Sequence, residues 1–371
     1  MINPKYFFQE LRKNNVNFYT GVPDSLLKEF CAYITSNTNK ANHIINTNEG
    51  SAVAMAIGRH MATGEVPVVY MQNSGLGNII NPILSLADDK VYGIPMILII
   101  GWRGEPNKKD EPQHVKQGEI TLDLLNVMGI DYRIIDQKTK NIENLVKEVV
   151  DNAKEYSRPT AIIVKKGTFA QYKLKTLEKK FDWNREDAIK TLLNYVNDDF
   201  IVSTTGKASR ELFEARESIN EGHGRDFLTV GGMGHASQIA CGISMSINKR
   251  VWCFDGDGAA LMHLGAVGIS AIHAKSNFIH VLINNFTHDS VGGQPTIADK
   301  ISFTKIFKNL GYREVFSVQS NTELIKLLKN LPSNGPVLIE LKVNSGARKD
   351  LGRPTTSPKE NKLNFMKNLK L

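Results

Sequence analysis

Gly256-Asp257-Gly258 stands directly after a β-branched and aromatic run at 250–254, and Asn284-Asn285 follows after 25 intervening residues, closing a second apolar run at 278–283. The residues between them, 261–275, have helical spacing, so the whole reads as one strand–helix–strand unit. A right-handed crossover then brings Asp257 and Asn285 to the carboxyl ends of neighbouring strands. One carboxylate and one amide oxygen facing a common point suit a hard divalent cation such as Mg²⁺, which takes oxygen ligands and shares them with phosphates. The flanking glycines let the backbone approach a diphosphate, whose charge the next helix start would meet. Taken singly, the glycine–aspartate–glycine triplet reads as a strand-to-helix turn and the asparagine pair as a loop.

The elements that must position these residues repeat along the chain. Strand-like runs at 16–20, 44–47, 66–71, 96–101 and 161–164 alternate with helical patterns beginning near Ser25 and Gly50. The same rhythm restarts with strands at 200–204, 228–230, 250–254, 278–283 and 337–341, with helices from Ser209 and His235. This predicts an α/β chain of two mainly parallel sheets flanked by helices. The stretch 171–186 is rich in Lys and Glu and poor in apolar residues. We therefore expect one domain over 1–172, a linker over 173–188 and a second domain over 189–371, whose end is a basic tail. Loops at the carboxyl ends of strands are where chemistry gathers in such sheets.

Composition narrows the partners. The chain has 371 residues, 41% apolar and 23% charged, an ordinary globular balance. Its net charge of +8 is concentrated, because residues 345–371 hold seven basic and two acidic side chains. The near-neutral body and the absence of a long apolar stretch lead us to expect no nucleic acid, no membrane and a cytoplasmic protein. Cys31, Cys241 and Cys253 are scattered, so no disulfide framework or structural zinc site is expected.

The paired motifs resemble the metal and diphosphate signature of the thiamine diphosphate (ThDP) enzymes. The resemblance implies that Asp257, Asn285 and a carbonyl at Thr287 hold Mg²⁺, with Gly256 and Gly258 beside the diphosphate. In such enzymes an acid must hydrogen-bond the cofactor's pyrimidine from an apolar place that raises its pKa. Glu49, a lone acid between an apolar strand and the small residues of 50–56, takes that role; standing alone it would read as an acid at a helix amino end. Gly231-Gly232-Met233-Gly234 resembles the loop whose bulky residue, here Met233, supports the bent cofactor. Thr205-Gly206 resembles another diphosphate-side loop.

Domain order and loop sequences narrow the resemblance further. The glutamate domain precedes the metal domain, as in the decarboxylase and carboligase branch, and the length leaves no room for that branch's middle domain. Gly21-Val22-Pro23-Asp24-Ser25, Asn73-Ser74-Gly75-Leu76-Gly77-Asn78, Gly101-Trp102-Arg103-Gly104, Asp110-Glu111-Pro112-Gln113-His114, the run 288–296 and the run 348–355 are similar to the phosphonopyruvate decarboxylase family, close to the sulfopyruvate decarboxylases. Two departures stand out. Phe286 and Thr287 follow the asparagine pair where smaller residues are expected, and Val291 replaces a glutamate of pyruvate decarboxylases, so other groups must handle protonation.

The implied activity is decarboxylation of 3-phosphonopyruvate to phosphonoacetaldehyde, for which the cofactor supplies the nucleophile and electron sink. A decarboxylase of sulfopyruvate or another anionic 2-oxo acid is the alternative, and a non-catalytic anion-binding protein is the alternative of another class. The resemblance assigns proton transfer to Asp24 and His114, and cofactor contacts to Asn73, Ser74 and Gly75. A helix cap at Asp24 and a surface histidine at 114 are the structural alternatives. His288 and Gln294 are placed to touch substrate. Ser25, Arg348, Lys349, Arg353 and Thr355 are candidates for the phosphonate, with the tail as a lid or, alternatively, a solvated end. A homodimer or higher homo-oligomer with active sites between subunits is also implied.

Overall fold

The computed structural model describes residues 1–175 and 180–370, and the chain divides into two units. One comprises Met1–Thr176 with Val291–Gln294, the other Leu177–Ser290 with Pro295–Leu371. The expected linker at 173–188 includes residues 176–179, which lie outside the described residues, and the helix Arg185–Val196 already begins within it.

The first unit contains strands β1 (Tyr19–Gly21), β2 (His43–Ile45), β3 (Val68–Gln72), β4 (Ile97–Gly101), β5 (Asp131–Ile135) and β6 (Thr160–Val164). They form a parallel sheet in the order β2-β1-β3-β4-β6-β5. The second unit contains β7 (Phe200–Ser203), β8 (Asp226–Leu228), β9 (Val251–Gly256), β10 (Phe278–Asn284), β11 (Glu314–Val318) and β12 (Val337–Lys342). Their parallel order is β11-β12-β10-β9-β7-β8.

Both sheets are buried on both faces, which is why their central strands read as unbroken apolar runs. Along β3, Val68 and Tyr70 enter one core while Val69 and Met71 enter the other. Along β9, Trp252 and Phe254 face one core while Val251 and Cys253 face the opposite one. The alternation follows the two-residue period of a strand.

The strands absent from the sequence reading, β5 and β11, are the outer strands of their sheets. Each is exposed or half-buried over its first four residues and buried only at the last, so neither carries the apolar run that marks a central strand. The expected strand at 228–230 lies instead at Asp226–Leu228. The expected helix at 261–275 is two helices, Asp257–Met262 and Leu264–His273, separated at His263. The basic tail is not a purely solvated end, because it contains the helix Pro358–Leu369 with Phe365 buried between Phe200 and Phe227. Among the described residues no helix is long and apolar enough to cross a membrane.

Candidate active site

In the first unit the expected residues gather at the carboxyl ends of β1, β2, β3 and β4. Glu49 opens the helix Glu49–Thr63, whose start is capped by the Asn48 side chain accepting the Gly50 N–H at 2.8 Å. It is 5% exposed, and burial pushes its carboxyl above the usual glutamate range although Asn78 Nδ2 donates to its Oε2 at 2.7 Å. Gly75 makes room for it: a Cβ there would stand 2.5 Å from Glu49 Oε1. Gly50 likewise admits the backbone of Asn78, whose carbonyl oxygen would lie 2.7 Å from a Cβ.

Asp24 is fully buried, and burial raises its carboxyl above the ordinary value while Gln72 Nε2 at 2.6 Å and the Leu26 N–H at 2.8 Å oppose that rise. The helix Lys28–Asn37 has Leu27 at its cap position and no side-chain cap bond, which leaves Asp24 outside the capping role. Gly101 is needed beside it, since a Cβ would meet Asp24 Oδ2 at 2.0 Å.

Arg103 ties these loops together. Its Nη1 donates to Ser25 Oγ at 2.9 Å and its Nε to Asp110 Oδ2 at 2.9 Å, and a second guanidinium bond reaches Asp110 Oδ1. Burial disfavours the Asp110 carboxylate, yet Arg103 and the Gly104 N–H hold it well below the usual range. Asn73, expected at the cofactor, uses both amide hydrogens on the Arg103 carbonyl and Thr121 Oγ1, and its Oδ1 accepts the Arg103 N–H. It acts as a strut between loops. Ser74 is exposed and donates to Gln72 Oε1 at 2.8 Å. His114 is buried near the start of the helix Pro112–Val127, not on an open surface loop. There Gly104 and Gly118 let two backbones touch, and Trp102 Nε1 donates to the Gly118 carbonyl at 3.0 Å.

In the second unit Asp257 begins the helix after β9 and is 2% exposed. Burial pushes its carboxyl up to about 7, against hydrogen bonds from Thr296 Oγ1 at 2.5 Å and from the backbone of Gly258 and Asn285. A carboxylate this deeply buried calls for a cation. Asn285 is buried at the end of β10, its Oδ1 accepting the Thr287 N–H at 3.1 Å, and the Thr287 hydroxyl is buried without a partner. The donors are all oxygen, the set a Mg²⁺ ion takes. Phe286, where a smaller residue was expected, adopts φ +64° and stacks its ring on Phe181 at 6.1 Å.

Gly258 brings further expected residues together. A Cβ on it would lie 3.0 Å from the His288 ring and 3.4 Å from Met233 Cε, so Met233, His288 and the metal turn form one cluster. Burial holds His288 down to about 4, which keeps it neutral. Gly206 has φ +93° and faces Ser290 Oγ, 2.8 Å from where its Cβ would be, while Thr205 Oγ1 donates to the Val230 carbonyl. Gly231 opens the half-buried loop that carries Met233. Gln294, which belongs to the first unit, is fully buried with both amide atoms unpartnered.

The tail candidates divide. Arg348 pairs with Glu186 at 3.1 Å, Asp350 at 3.1 Å and Glu214, so its guanidinium is occupied by three acids of its own unit. Arg210 donates to the carbonyls of Leu351 and Gly352, fastening the segment down. Lys349, Arg353 and Thr355 are exposed. Sequence reasoning missed Asn78, Gln72 and Thr296, the partners of the three buried acids. It also missed Arg185, which holds Glu211 through two bonds and Asp289 at 3.1 Å next to His288. Asn78 and Thr296 fall inside stretches singled out above, but nothing in their spacing marks which acid they meet.

The family described as "Thiamine pyrophosphate enzyme, N-terminal TPP binding domain" matches residues 4–127, and "Thiamine pyrophosphate enzyme, C-terminal TPP binding domain" matches residues 205–341. A phosphonopyruvate decarboxylase of Streptomyces viridochromogenes is 31% identical over 89% of this chain and 87% of its own length. The chain belongs to the thiamine pyrophosphate enzymes, in the family of the phosphonopyruvate decarboxylases. Another member, from Streptomyces hygroscopicus, is 30% identical over 97% of this chain and 92% of its own length. A sulfopyruvate decarboxylase of Methanosarcina acetivorans is 27% identical over 89% of this chain and 88% of its own length. As a thiamine pyrophosphate enzyme, the chain carries the two sheets in the order the motifs required: the unit with Glu49 first, the unit with Asp257 second.

Proposed function

We propose that this chain is a ThDP- and Mg²⁺-dependent decarboxylase that converts 3-phosphonopyruvate to phosphonoacetaldehyde and CO₂. The observation that carries this reading is the likeness to two phosphonopyruvate decarboxylases over nearly the whole length, at 31% and 30% identity. The bound cofactor supplies a nucleophilic carbon and takes up the electrons released with CO₂.

The chain's own residues then divide the work. Residues 1–172 present Glu49 to the pyrimidine, where its raised pKa lets it share a proton. Residues 189–371 hold the metal through Asp257, Asn285 and the Thr287 carbonyl, with Thr205, Gly206, Gly231 and Met233 against the diphosphate and rings. Asp24, buried and with a raised carboxyl pKa, is suited to hold the proton that the product must receive, and His114 is its companion. Ser25, His288 and Gln294 contact the substrate. The unpartnered, fully buried amide of Gln294 supports that role, because a buried polar group without a partner is costly unless a ligand completes it. The phosphonate falls to the exposed Lys349 and Thr355, since Arg348 is held by Glu186, Glu214 and Asp350.

We further infer a homodimer in which the acid half of one subunit meets the metal half of the other. Among the relatives, sulfopyruvate decarboxylases of Methanococcus maripaludis come as separate alpha and beta subunits, which match 42% and 38% of this chain. The test is an assay with ThDP and Mg²⁺ against phosphonopyruvate, sulfopyruvate and pyruvate, following aldehyde through a coupled NADH oxidation. Turnover of phosphonopyruvate far above the others supports the assignment. A preference for sulfopyruvate moves the substrate, and inertness toward all three while ThDP still binds overturns the decarboxylase reading.

A further inference from the structure

Behind the metal turn runs a buried polar chain that the proposed chemistry does not use. Asp255, two residues before Asp257 on β9, accepts the Gly256 N–H on Oδ1 at 2.9 Å. Its Oδ2 stands 3.4 Å from His280 Nε2 on the neighbouring strand β10, close but not hydrogen-bonded to it, and neither atom has another partner. His280 Nδ1 in turn lies 2.9 Å from the Tyr312 hydroxyl. All three side chains are at most 1% exposed. The face on which they lie also buries Asn284 and Glu340, which bond each other at 2.8 Å, within an apolar layer that includes Phe278, Leu282, Phe303 and Phe307. The His280 ring is set edge-on to both Phe278 and Phe307.

Burying a carboxylate and an imidazole in such a layer is costly unless they are held together and serve some purpose there. The direction of the bonds indicates the purpose. Asp255 accepts the N–H of Gly256, the residue just before Asp257, and so fixes the backbone at the start of the metal turn. Its partner His280 is packed between aromatic rings and tethered by Tyr312, which leaves little freedom to swing.

We propose that Asp255 is a positioning residue for the divalent cation, oriented by His280 and Tyr312, and that the three set the metal affinity of the Asp257 turn. The inference rests on the proposed function only for the identity of the cation, since it concerns metal binding and not the substrate.

The test is direct metal binding by the full-length, cofactor-depleted protein with ThDP added, following free Mn²⁺ by its electron paramagnetic resonance signal. Asp255→Asn keeps the shape and the acceptor for Gly256 but replaces the oxygen that faces His280 by an amide NH₂. It weakens Mn²⁺ binding by about 10- to 100-fold, the range usual for groups that orient metal ligands, and high metal restores activity. His280→Gln and Tyr312→Phe, which keep the Asp255 carboxylate, weaken it by successively smaller factors. They carry the same test if the Asn variant does not fold. Unchanged Mn²⁺ affinity in the folded variants, with only the melting temperature moved, overturns the proposal. So does one equivalent of zinc that survives chelation and is lost in Cys253→Ser. Ligand atoms of Cys253, Asp255 and His280 lie within 4.8 Å of one another, and the three would then be metal ligands themselves. An enzyme inert toward phosphonopyruvate leaves this measurement readable, so the two readings fail separately.

Discussion

Asn78 Nδ2 donates a 2.7 Å hydrogen bond to Glu49 Oε2, from a residue 29 positions further along the chain. That bond favours the charged carboxylate, while burial favours the neutral acid and prevails. The charged form is therefore a burden on the folded protein. Because the folded carboxyl has the higher pKa, its contribution to stability is fully present below the ordinary glutamate value and is lost as pH rises through the raised one. Glu49→Gln should therefore melt higher than the parent at neutral pH when both lack cofactor, and the gap should close as pH falls. Turnover should drop on the order of 10²- to 10⁴-fold, as expected for loss of a proton-transfer group. Melting curves from pH 5 to 8 beside an assay check both; an unchanged or lower melting point in the Gln variant counts against the burial argument.

Gly75→Ala tests the same carboxyl from the other side. The three atoms nearest the new methyl would all belong to Glu49, at 2.5 Å for Oε1 and 2.7 Å for Cδ and Cγ. The far end of a side chain can move aside at small cost to stability, but this one would be moved from its working position. The melting temperature should stay close to that of the parent while kcat falls by roughly 100-fold, the penalty of a displacement near 1 Å at a reacting group. Equal losses of stability and activity would mean that the backbone, not the acid, had shifted.

The sequence disclosed what has a period or a fixed spacing. β3, β4, β9 and β10 are flanked on both faces by core, so their runs are apolar throughout and their ends are clear. Asp257 and Asn285 are legible because one crossover unit fixes their separation. β5 and β11 were hidden because edge strands keep polar residues on their exposed sides. Asn78 and Thr296 were hidden because a partner is set by how loops meet in space, not by spacing. The tail misled because its charge is real, yet its helix buries Asn361 and Phe365, one turn apart.

Removing the metal should undo a measurable stabilisation. A ligand present at 100 times its dissociation constant adds about 2.7 kcal/mol to the folded state if it binds only that state. ThDP with Mg²⁺ should therefore raise the melting temperature by several degrees, and chelation should reverse it. Asp257→Ala should abolish the increment while leaving the protein folded, since the variant also removes a buried carboxyl whose charge is disfavoured. A ThDP-induced shift that persists in the Ala variant would place the metal elsewhere.

The tail separates packing from recognition. Arg348 is held by Glu186, Glu214 and Asp350, so Arg348→Ala should leave the KM for phosphonopyruvate within about 3-fold of the parent, the change expected of an exposed pair. A rise beyond tenfold would mean that the guanidinium leaves its acids to meet the phosphonate. Asn361, buried in the final helix, donates to the Asp226 carbonyl at 2.8 Å and accepts the Leu228 N–H at 3.1 Å, completing the outer strand β8. Asn361→Ala leaves those two groups without partners and should cost about 1–3 kcal/mol of stability with the KM unchanged. Removing everything after Asn344 also takes away Phe365, so that truncation should lower the melting temperature further than Asn361→Ala does. Its effect on turnover can be read as loss of a lid only where the truncated chain remains folded at the assay temperature.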